Sequence, residues 1–375
     1  MKIHAQRLLT PAGWLEDRTV SVEDGVISTI GKGRSDFSAE LLVPGLIDLH
    51  NHGGEGYEIS RCSLPLLEHF LQRMLAGGVT DFLMTIGTGN FETVKTGLKF
   101  IRSAMQLQKD GKLGGTSIVG VHMEGPFLNP KRPGAMREEQ ILTPDVETFE
   151  RLFGDYVDII RLVTLAPERD GAAALTAHLL CKGIRVQAGH TDATFEEAGE
   201  CFSFGITSLC HTFNACRAIH HREPGIITAA LLNDEIFCEA ICDLEHLHPA
   251  AIKLIYKNKG RRRMVIVTDS SMPTGLPDGE YAIGDRRVIM ENGVKRTLSG
   301  ALSGGSCYLD QSVRNLISKG IPAGDAFYMA SEAPASRMGW NNLGGIVPGK
   351  VAHLAAFTHR FDLDFTVLGE NVYVW

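Results

Sequence analysis

SIVGVHMEG, residues 117–125, is a short apolar run that ends in a histidine, a carboxylate and a glycine. Apolar residues on both faces followed by a turn signal describe a buried strand. The design recurs through the middle of the chain. LLVPGLIDLH (41–50) and VTDFLMTI (79–86) precede this run. IIRLVTLAPE (159–168), IRVQAGHTDA (184–193), ITSLCHTFN (206–214), IFCEAICDLEH (236–246) and MVIVTDSS (264–271) follow it. Several of the intervening stretches carry helical patterning, as in SLPLLEHFLQRMLAGG (63–78), with a polar first turn and a glycine stop. Strands alternating with helices imply parallel βαβ units, and eight such strands is the count of a closed (β/α)8 barrel. An open doubly wound sheet is the competing architecture, but no G-x-G-x-x-G follows the first strand to support it.

Outside this region the rhythm changes. Residues 1–43 alternate apolar and polar positions in short runs, with turn signals at Asp24-Gly25 and Gly31. The tail, GGIVPGKVAHLAAFT and then FTVLGENVYVW, has the same style. The expected organisation is therefore a small β-sandwich domain built from residues 1–43 and 345–375, flanking a barrel domain over 44–344. The Arg261–Arg263 run before the last barrel strand reads as a solvated helix end.

Composition bounds the function. The 375 residues carry a net charge of −7 and are 44% hydrophobic, which excludes general disorder and disfavours nucleic acid as the main partner. Eight scattered cysteines without a C-x-x-C pair read as buried reduced thiols. The N-terminus lacks a signal-peptide core, and no run reaches the ~18 apolar residues of a membrane span. A soluble cytoplasmic protein is expected.

The chemistry concentrates at the strand ends. The first ends in His50-Asn51-His52, the third in His122 and Glu124, the fifth in His190, the sixth in His211, the seventh in His246 and the eighth in Asp269. In a parallel barrel all these ends open on one face, where active sites lie. Alternate residues of a strand point to one side, so His50 and His52 can aim two imidazoles at one ion. Glu124, between an apolar strand and a Gly-Pro turn, is costly to bury without a cation or an arginine. His190 and His211, each alone, read as satisfied core histidines; with Glu124 they form a two-histidine, one-carboxylate set that leaves room for water. Asp269 suits either a general base or second metal ligand, or the N-cap of a following helix.

Taken together, PGLIDLHNHG, HMEGPFLNP, GHTDAT, CHTFNA, REPGI, VTDSS, LSGGS and ASEAPASRMGWNNLGGIVPGKVAHL, in this order, resemble the N-acetylglucosamine-6-phosphate deacetylases of the metal-dependent amidohydrolase superfamily. HMEGPF and the NA…REPG spacing are specific to that branch, and the likeness spans nearly the whole chain. It implies a (β/α)8 barrel with a β-sandwich from both termini. It also implies Glu124, His190 and His211 as ligands of the main metal and Asp269 as the catalytic aspartate. His246 falls at the position that contacts the sugar or the reacting carbonyl. Asn214, Ala215, Leu302, Ser303, Gly304 and Ala135 fall at substrate-contact positions, and Arg222 falls where the phosphate is held. Because His50 and His52 are retained, one or two divalent ions are expected, with Glu124 bridging and Asp269 nearby. Zinc is the expected ion; iron, manganese and cobalt suit the same ligands. A homodimer is borrowed from the resemblance.

Two departures stand out. Many members carry a histidine twelve residues after the metal-binding glutamate, where this chain has Met136; a thioether cannot supply its hydrogen bond or charge. The usual Ala-Asp near the C-terminus is Ala352-His353 here, a position read as structural. The expected reaction is release of acetate from N-acetylglucosamine 6-phosphate. Alternatives keep the metal site but take N-acetylgalactosamine 6-phosphate, another acylated amine, or a deaminase or cyclic-amide substrate. A non-catalytic sugar-phosphate binder would show erosion of the ligands or of Asp269, and none is lost.

Overall fold

The computed structural model describes residues 1–284 and 286–375. Eight parallel strands follow one another in chain order around a barrel: Leu46–Asn51, Val79–Gly87, Ser117–Glu124, Ile160–Leu165, Arg185–Ala188, Ser208–Leu209, Phe237–Ile241 and Met264–Val267. The seam between first and last is drawn together at its upper end. Asp269 N donates to His50 O and His52 N donates to Ser270 O, each at 2.8 Å. The strands thus bring both the His-x-His segment and Asp269 to the rim at the point where the barrel meets itself.

The stretch read as one strand over 41–50 serves two sheets. Phe37–Pro44 belongs to the terminal sheet and Leu46–Asn51 to the barrel. Gly45 makes the crossing, and a Cβ there would lie 2.2 Å from Thr80 Oγ1. Pro44 suits the end of a strand because it has no N–H to give a ladder.

The first barrel helix, Leu64–Leu75, starts after Ser63 with Pro65 in its first turn. It buries Leu67, Phe70, Leu71 and Met74 in the barrel core. Each such side chain contributes up to about 1.5–3 kcal/mol. At the other end of the chain, the helix Glu332–Met338 packs Ala333, Ala335 and Met338 into one cluster with Leu49, Leu83, Leu162 and Val265.

Both termini form a single seven-stranded mixed sheet. Its order is Asn371–Val374, Leu363–Leu368, His353–Phe357, Phe37–Pro44, Lys2–Thr10, Gly13–Glu23 and Val26–Gly31. The turn signal at Asp24-Gly25 is realised with φ of 51° and 72°, the left-handed pair that tight hairpins use. Ile3, Val20, Leu42, Leu354 and Val367 give this sheet a core of its own.

A further antiparallel sheet follows the last barrel strand: Gly279–Ile283, Arg286–Glu291 and Val294–Thr297. It was not anticipated, although Asn292-Gly293 between alternating runs is a strong hairpin signal. All eight cysteines are free; Cys201, Cys210, Cys216, Cys238 and Cys242 are buried, whereas Cys181 is exposed. No helix among the described residues is long and apolar enough to cross a membrane.

His353 ties the two parts of the molecule together. From the terminal sheet its Nδ1 meets Asp81 Oδ2, on the second barrel strand, at 2.8 Å. Burial alone would lower its pKa, but the charge and hydrogen bond of Asp81 outweigh burial and raise it. The stabilisation is therefore complete below the ordinary histidine value of about 6.5 and fades as pH climbs through the raised value. In urea unfolding, wild type should exceed His353→Gln in stability by a margin that shrinks from pH 6 to pH 9. A margin that stays constant with pH would show that the ion pair does not set it.

Candidate active site and metal centre

Glu124, at the end of the third strand, is buried with 3% of its side chain exposed. Its Oε1 lies 3.1 Å from His190 Nε2 and 3.2 Å from His211 Nε2, and these two nitrogens are 3.1 Å apart. The pair from the first strand closes on the same carboxylate. His50 Nε2 is 3.4 Å from Oε1 and His52 Nε2 is 3.3 Å from Oε2. His50 Nε2 and His52 Nε2 stand 3.3 Å apart, so the His-x-His alternation aims both rings at one point. Asp269 Oδ1 completes this second group at 3.2 Å from His52 and 3.4 Å from His50. Two donor sets, Glu124/His190/His211 and His50/His52/Asp269, thus adjoin at Glu124.

The donor chemistry fits a cation. His190 Nδ1 faces the carbonyl of Arg132 at 3.0 Å, which places its proton there and leaves the Nε2 lone pair facing inward. His50 Nδ1 likewise faces Glu239 Oε2 at 3.4 Å. Converging lone pairs and carboxylate oxygens repel one another unless a positive centre lies among them. The carboxylates are held ionised. Burial would raise the pKa of Glu124, but His50 and the hydrogen-bonding rings of His190 and His211 bring it well below the usual range. At Asp269, burial is similarly outweighed by His50 and His52, so the pKa is lowered. The donor positions are conformationally strained: His190, His211 and Asp269 have φ of 47°, 25° and 49°, a region costly for residues with a Cβ.

Beneath the rim lie residues that sequence reasoning missed. Glu239 is fully buried; its Oε2 also accepts from His211 N at 3.2 Å, and its Oε1 pairs with Arg337 from the Glu332–Met338 helix. Glu239 lies between two alanine- and cysteine-rich apolar neighbours in IFCEAIC, and a charged residue inside a buried strand was the available signal. His122 belongs to neither donor set. Thr85 and Thr164 hold its two nitrogens at 3.1 and 2.7 Å, and burial lowers its pKa well below the usual value, so it is a neutral core histidine.

His246 reaches the site from the loop after the seventh strand. Asp243 shapes that loop by accepting from His246 N at 2.9 Å and from Ser306 N at 3.0 Å. It also takes His246 Nδ1 at 2.8 Å, which leaves Nε2 as the atom offered to the cavity. Burial would raise the pKa of Asp243, but His246 outweighs it and leaves the carboxyl far below its ordinary value. The LSGGS segment packs against Asp269: Gly305 N donates to Asp269 O at 2.7 Å, and a Cβ on Gly305 would lie 2.0 Å from Thr268 O. Buried Lys295, whose amine is pushed down to about 8 by burial, clamps this segment through Gly305 O and Thr274 Oγ1.

These groups line a cavity of about 680 Å³. His52, Glu124, His190, His211, His246 and Asp269 form its floor, and Ala135, Asn214, Ala215, Leu302, Ser303 and Gly304 contribute to its walls. Met136 also lines it, pressed over Gly87, where a Cβ would lie 3.0 Å from the Met136 methyl carbon. The structure does not bring Arg222 to this cavity. Residues 218–223 form an exposed loop that folds back through a His220–Glu223 bridge, and Arg222 Nη1 turns to His221 Nε2 at 2.9 Å.

Residues 41–373 match the amidohydrolase family. The chain belongs to that family. As an amidohydrolase it is a metal-dependent hydrolase, and the two donor sets at Glu124 are candidate groups to hold a divalent ion. Among its relatives is an N-acetylgalactosamine-6-phosphate deacetylase of Escherichia coli O157:H7, 35% identical over 94% of each chain. An N-acetylglucosamine-6-phosphate deacetylase of Vibrio furnissii is 33% identical over 96% of this chain and 92% of its own. Among solved structures, a mutant N-acetylglucosamine-6-phosphate deacetylase of Mycobacterium smegmatis bound to N-acetylglucosamine 6-phosphate superposes with a TM-score of 0.92. It is 28% identical and covers 100% of this chain and 99% of that one. The amidohydrolase thus groups with the amino-sugar-phosphate deacetylases, as its motifs imply.

Two substitutions probe the supports beneath this amidohydrolase site. Arg337→Met leaves the buried Glu239 carboxylate without its cation and should cost about 3–5 kcal/mol in urea unfolding. A loss under about 1 kcal/mol would remove the pair from the barrel's framework. Asp243→Asn should keep the metal content while turnover falls by about 10- to 100-fold, because the orientation and charge balance of His246 are lost. Unchanged turnover would free His246 from this dependence.

Proposed function

We propose that the protein hydrolyses the acetamido group of N-acetylglucosamine 6-phosphate, giving glucosamine 6-phosphate and acetate. The observation that carries this reading is the joint position of Asp269 and His246 on the floor of the cavity that holds the Glu124 donor sets. A divalent ion bound there supplies a water of pKa about 7 and positive charge for a carbonyl oxygen. Zinc is favoured, with Glu124, His190 and His211 as the first site and His50, His52 and Asp269 as a second.

The protein's own groups then carry the protons. Asp269, ionised and open to the cavity, accepts a proton from the attacking water as oxygen bonds to the acetyl carbon. His246, oriented by Asp243 at its Nδ1, donates a hydrogen bond from Nε2 to the developing oxyanion. When the C–N bond breaks, Asp269 returns its proton to the departing nitrogen, so the amine leaves neutral together with acetic acid, whose remaining proton then passes to solvent to give acetate. Asn214, Ala215 and the Leu302–Gly304 segment orient the sugar along the walls.

A second reading has its own support. The 35% identity to an N-acetylgalactosamine-6-phosphate deacetylase favours the galactosamine series as substrate, with Met136 a wall residue able to alter the preference. In either case we place the enzyme in the cytoplasm as a homodimer. A partner subunit packed on the exposed 218–223 loop would give Arg222 an anionic ligand that it does not meet among the described residues of its own chain.

Asp269→Asn should lower kcat by at least about a thousandfold while the first metal site stays filled. The check is acetate release from both N-acetylhexosamine 6-phosphates together with metal analysis of the same samples. Near wild-type turnover in this variant would remove Asp269 from the proton transfers. Wild type inactive on both sugars would overturn the deacetylase reading.

A further inference from the structure

We infer that Lys295 is a positioning residue for the hydrolysis, a buried ammonium that sets Asp269 and His246 in place together through the Gly305–Ser306 peptide. This rests on the deacetylase reading above, which takes Asp269 and His246 as the working groups. Lys295 stands on the hairpin strand Val294–Thr297, outside the barrel, and its side chain is wholly buried. It does not line the cavity, and neither of its side-chain hydrogen bonds goes to a donor set.

Lys295 Nζ donates to Thr274 Oγ1 and to Gly305 O, each at 2.5 Å. Both acceptors are neutral. Burying an ammonium against neutral oxygens is costly, and a methionine would fill the same length with no charge to desolvate. Burial pushes the amine down to about 8, while the negative fields of Asp269 and Asp243 act to raise it, so it is cationic at neutral pH. Its hydrogen bonds are charge-assisted, roughly twice as strong as neutral ones.

What the ammonium grips gives it this role. Gly305 O and Ser306 N belong to one peptide unit. Lys295 holds the oxygen, and across the same plane Ser306 N donates to Asp243 Oδ2 at 3.0 Å. The cation thus polarises a peptide whose N–H points at the carboxylate that takes His246 Nδ1. The preceding peptide serves the other group, since Gly305 N donates to Asp269 O at 2.7 Å. Thr274 adds a second line: the same Oγ1 accepts from Ser271 N at 3.2 Å, two residues beyond Asp269. Asp269 has φ of 49°, a strained conformation that persists only where its neighbours over-determine it. The segment presses directly on this backbone, for a Cβ on Gly304 would lie 2.7 Å from Asp269 O. A shift of Gly305 therefore carries to Asp269 on one side and to Asp243 and His246 on the other.

The test measures kcat for acetate release from both N-acetylhexosamine 6-phosphates in wild type, Lys295→Met, Lys295→Gln, Asp243→Asn and the double variant Lys295→Met/Asp243→Asn. Metal content and thermal melting are followed in the same samples. Lys295→Met should lose about 10- to 100-fold in kcat with its metal retained. Lys295→Gln should lose less, because its carboxamide N–H can still donate to Gly305 O. In the Asp243→Asn background, Lys295→Met should cost at least about threefold less than it does in wild type, since the polarised peptide no longer ends on a charged acceptor. Losses that simply multiply would mark a role confined to stability and overturn the assignment, as would near wild-type kcat in Lys295→Met. If methionine prevents folding, Lys295→Gln carries the same cycle under the same criterion. Either failure leaves the deacetylase reading standing. A wild type that leaves both sugar phosphates intact overturns that reading and this assignment together.

Discussion

The carboxylate of Glu124 lies within 3.4 Å of the Nε2 atoms of four imidazoles, and the rest of the molecule is arranged to sustain that crowding. With neutral rings it is unfavourable. With the Nδ1 protons of His190 and His50 directed outward, the inward atoms are acceptors, and so are the carboxylate oxygens. Burying such a set costs several kcal/mol per ion unless a cation completes it. The site is therefore a demand for positive charge written into a barrel rim. That demand explains why the chain supplies five donor-bearing segments from as many strands rather than one compact motif.

Meeting this demand imposes strain, and the barrel beneath absorbs it. His190, His211 and Asp269 sit in the left-handed region, each at a cost of about 1–2 kcal/mol. Their backbones are overdetermined. Asp269 is held by His50 O and by Gly305 N, and His211 N is held by Glu239. Glu239 in turn draws Arg337 into the barrel from the C-terminal helix, so a residue far along the chain steadies the first strand's histidine. The buried charge pair adds little net stability of its own. Its use is to fix the ring of His50 where the second donor set needs it.

Much of this was legible in the sequence because barrel strands announce themselves twice. SIVGVHME and MVIV are continuous apolar runs, and the polar residue that ends each run marks the rim. Glu124, His190 and His211 were readable for that reason. Pro44-Gly45 was harder, since an apolar run says nothing about which sheet takes which half; the crossing depends on how closely Gly45 approaches Thr80. Glu239 and Asp243 were hidden because they touch other ligands or side chains rather than the cavity, and their partners are distant in the chain. Arg222 is a different case: its motif was plain, but the direction of an exposed loop is set by tertiary contacts that a motif does not encode, and within the chain it lies outside the cavity. The reading of His353 as structural agrees with its contact to Asp81, though the contact itself joins residues 272 apart.

The molecule divides its labour by rigidity. Hydrolytic groups stand on strand ends or within a few residues of them, where neighbouring strands fix each backbone. Wall residues of the cavity stand on connections, such as the 134–136 loop and the Leu302–Gly304 segment. Two hydrogen bonds clamp the backbone of Asp269, the fixity that the proposed proton transfer would need. Substrate choice has no such constraint, and a loop can exchange a histidine for Met136 without disturbing the donor sets below. The buried amine of Lys295 joins the two regimes, since it stands on the hairpin sheet and grips Gly305, whose amide holds Asp269. Chemistry shared across amidohydrolases and substrate preference particular to this chain can therefore change independently, because they rest on different parts of the fold.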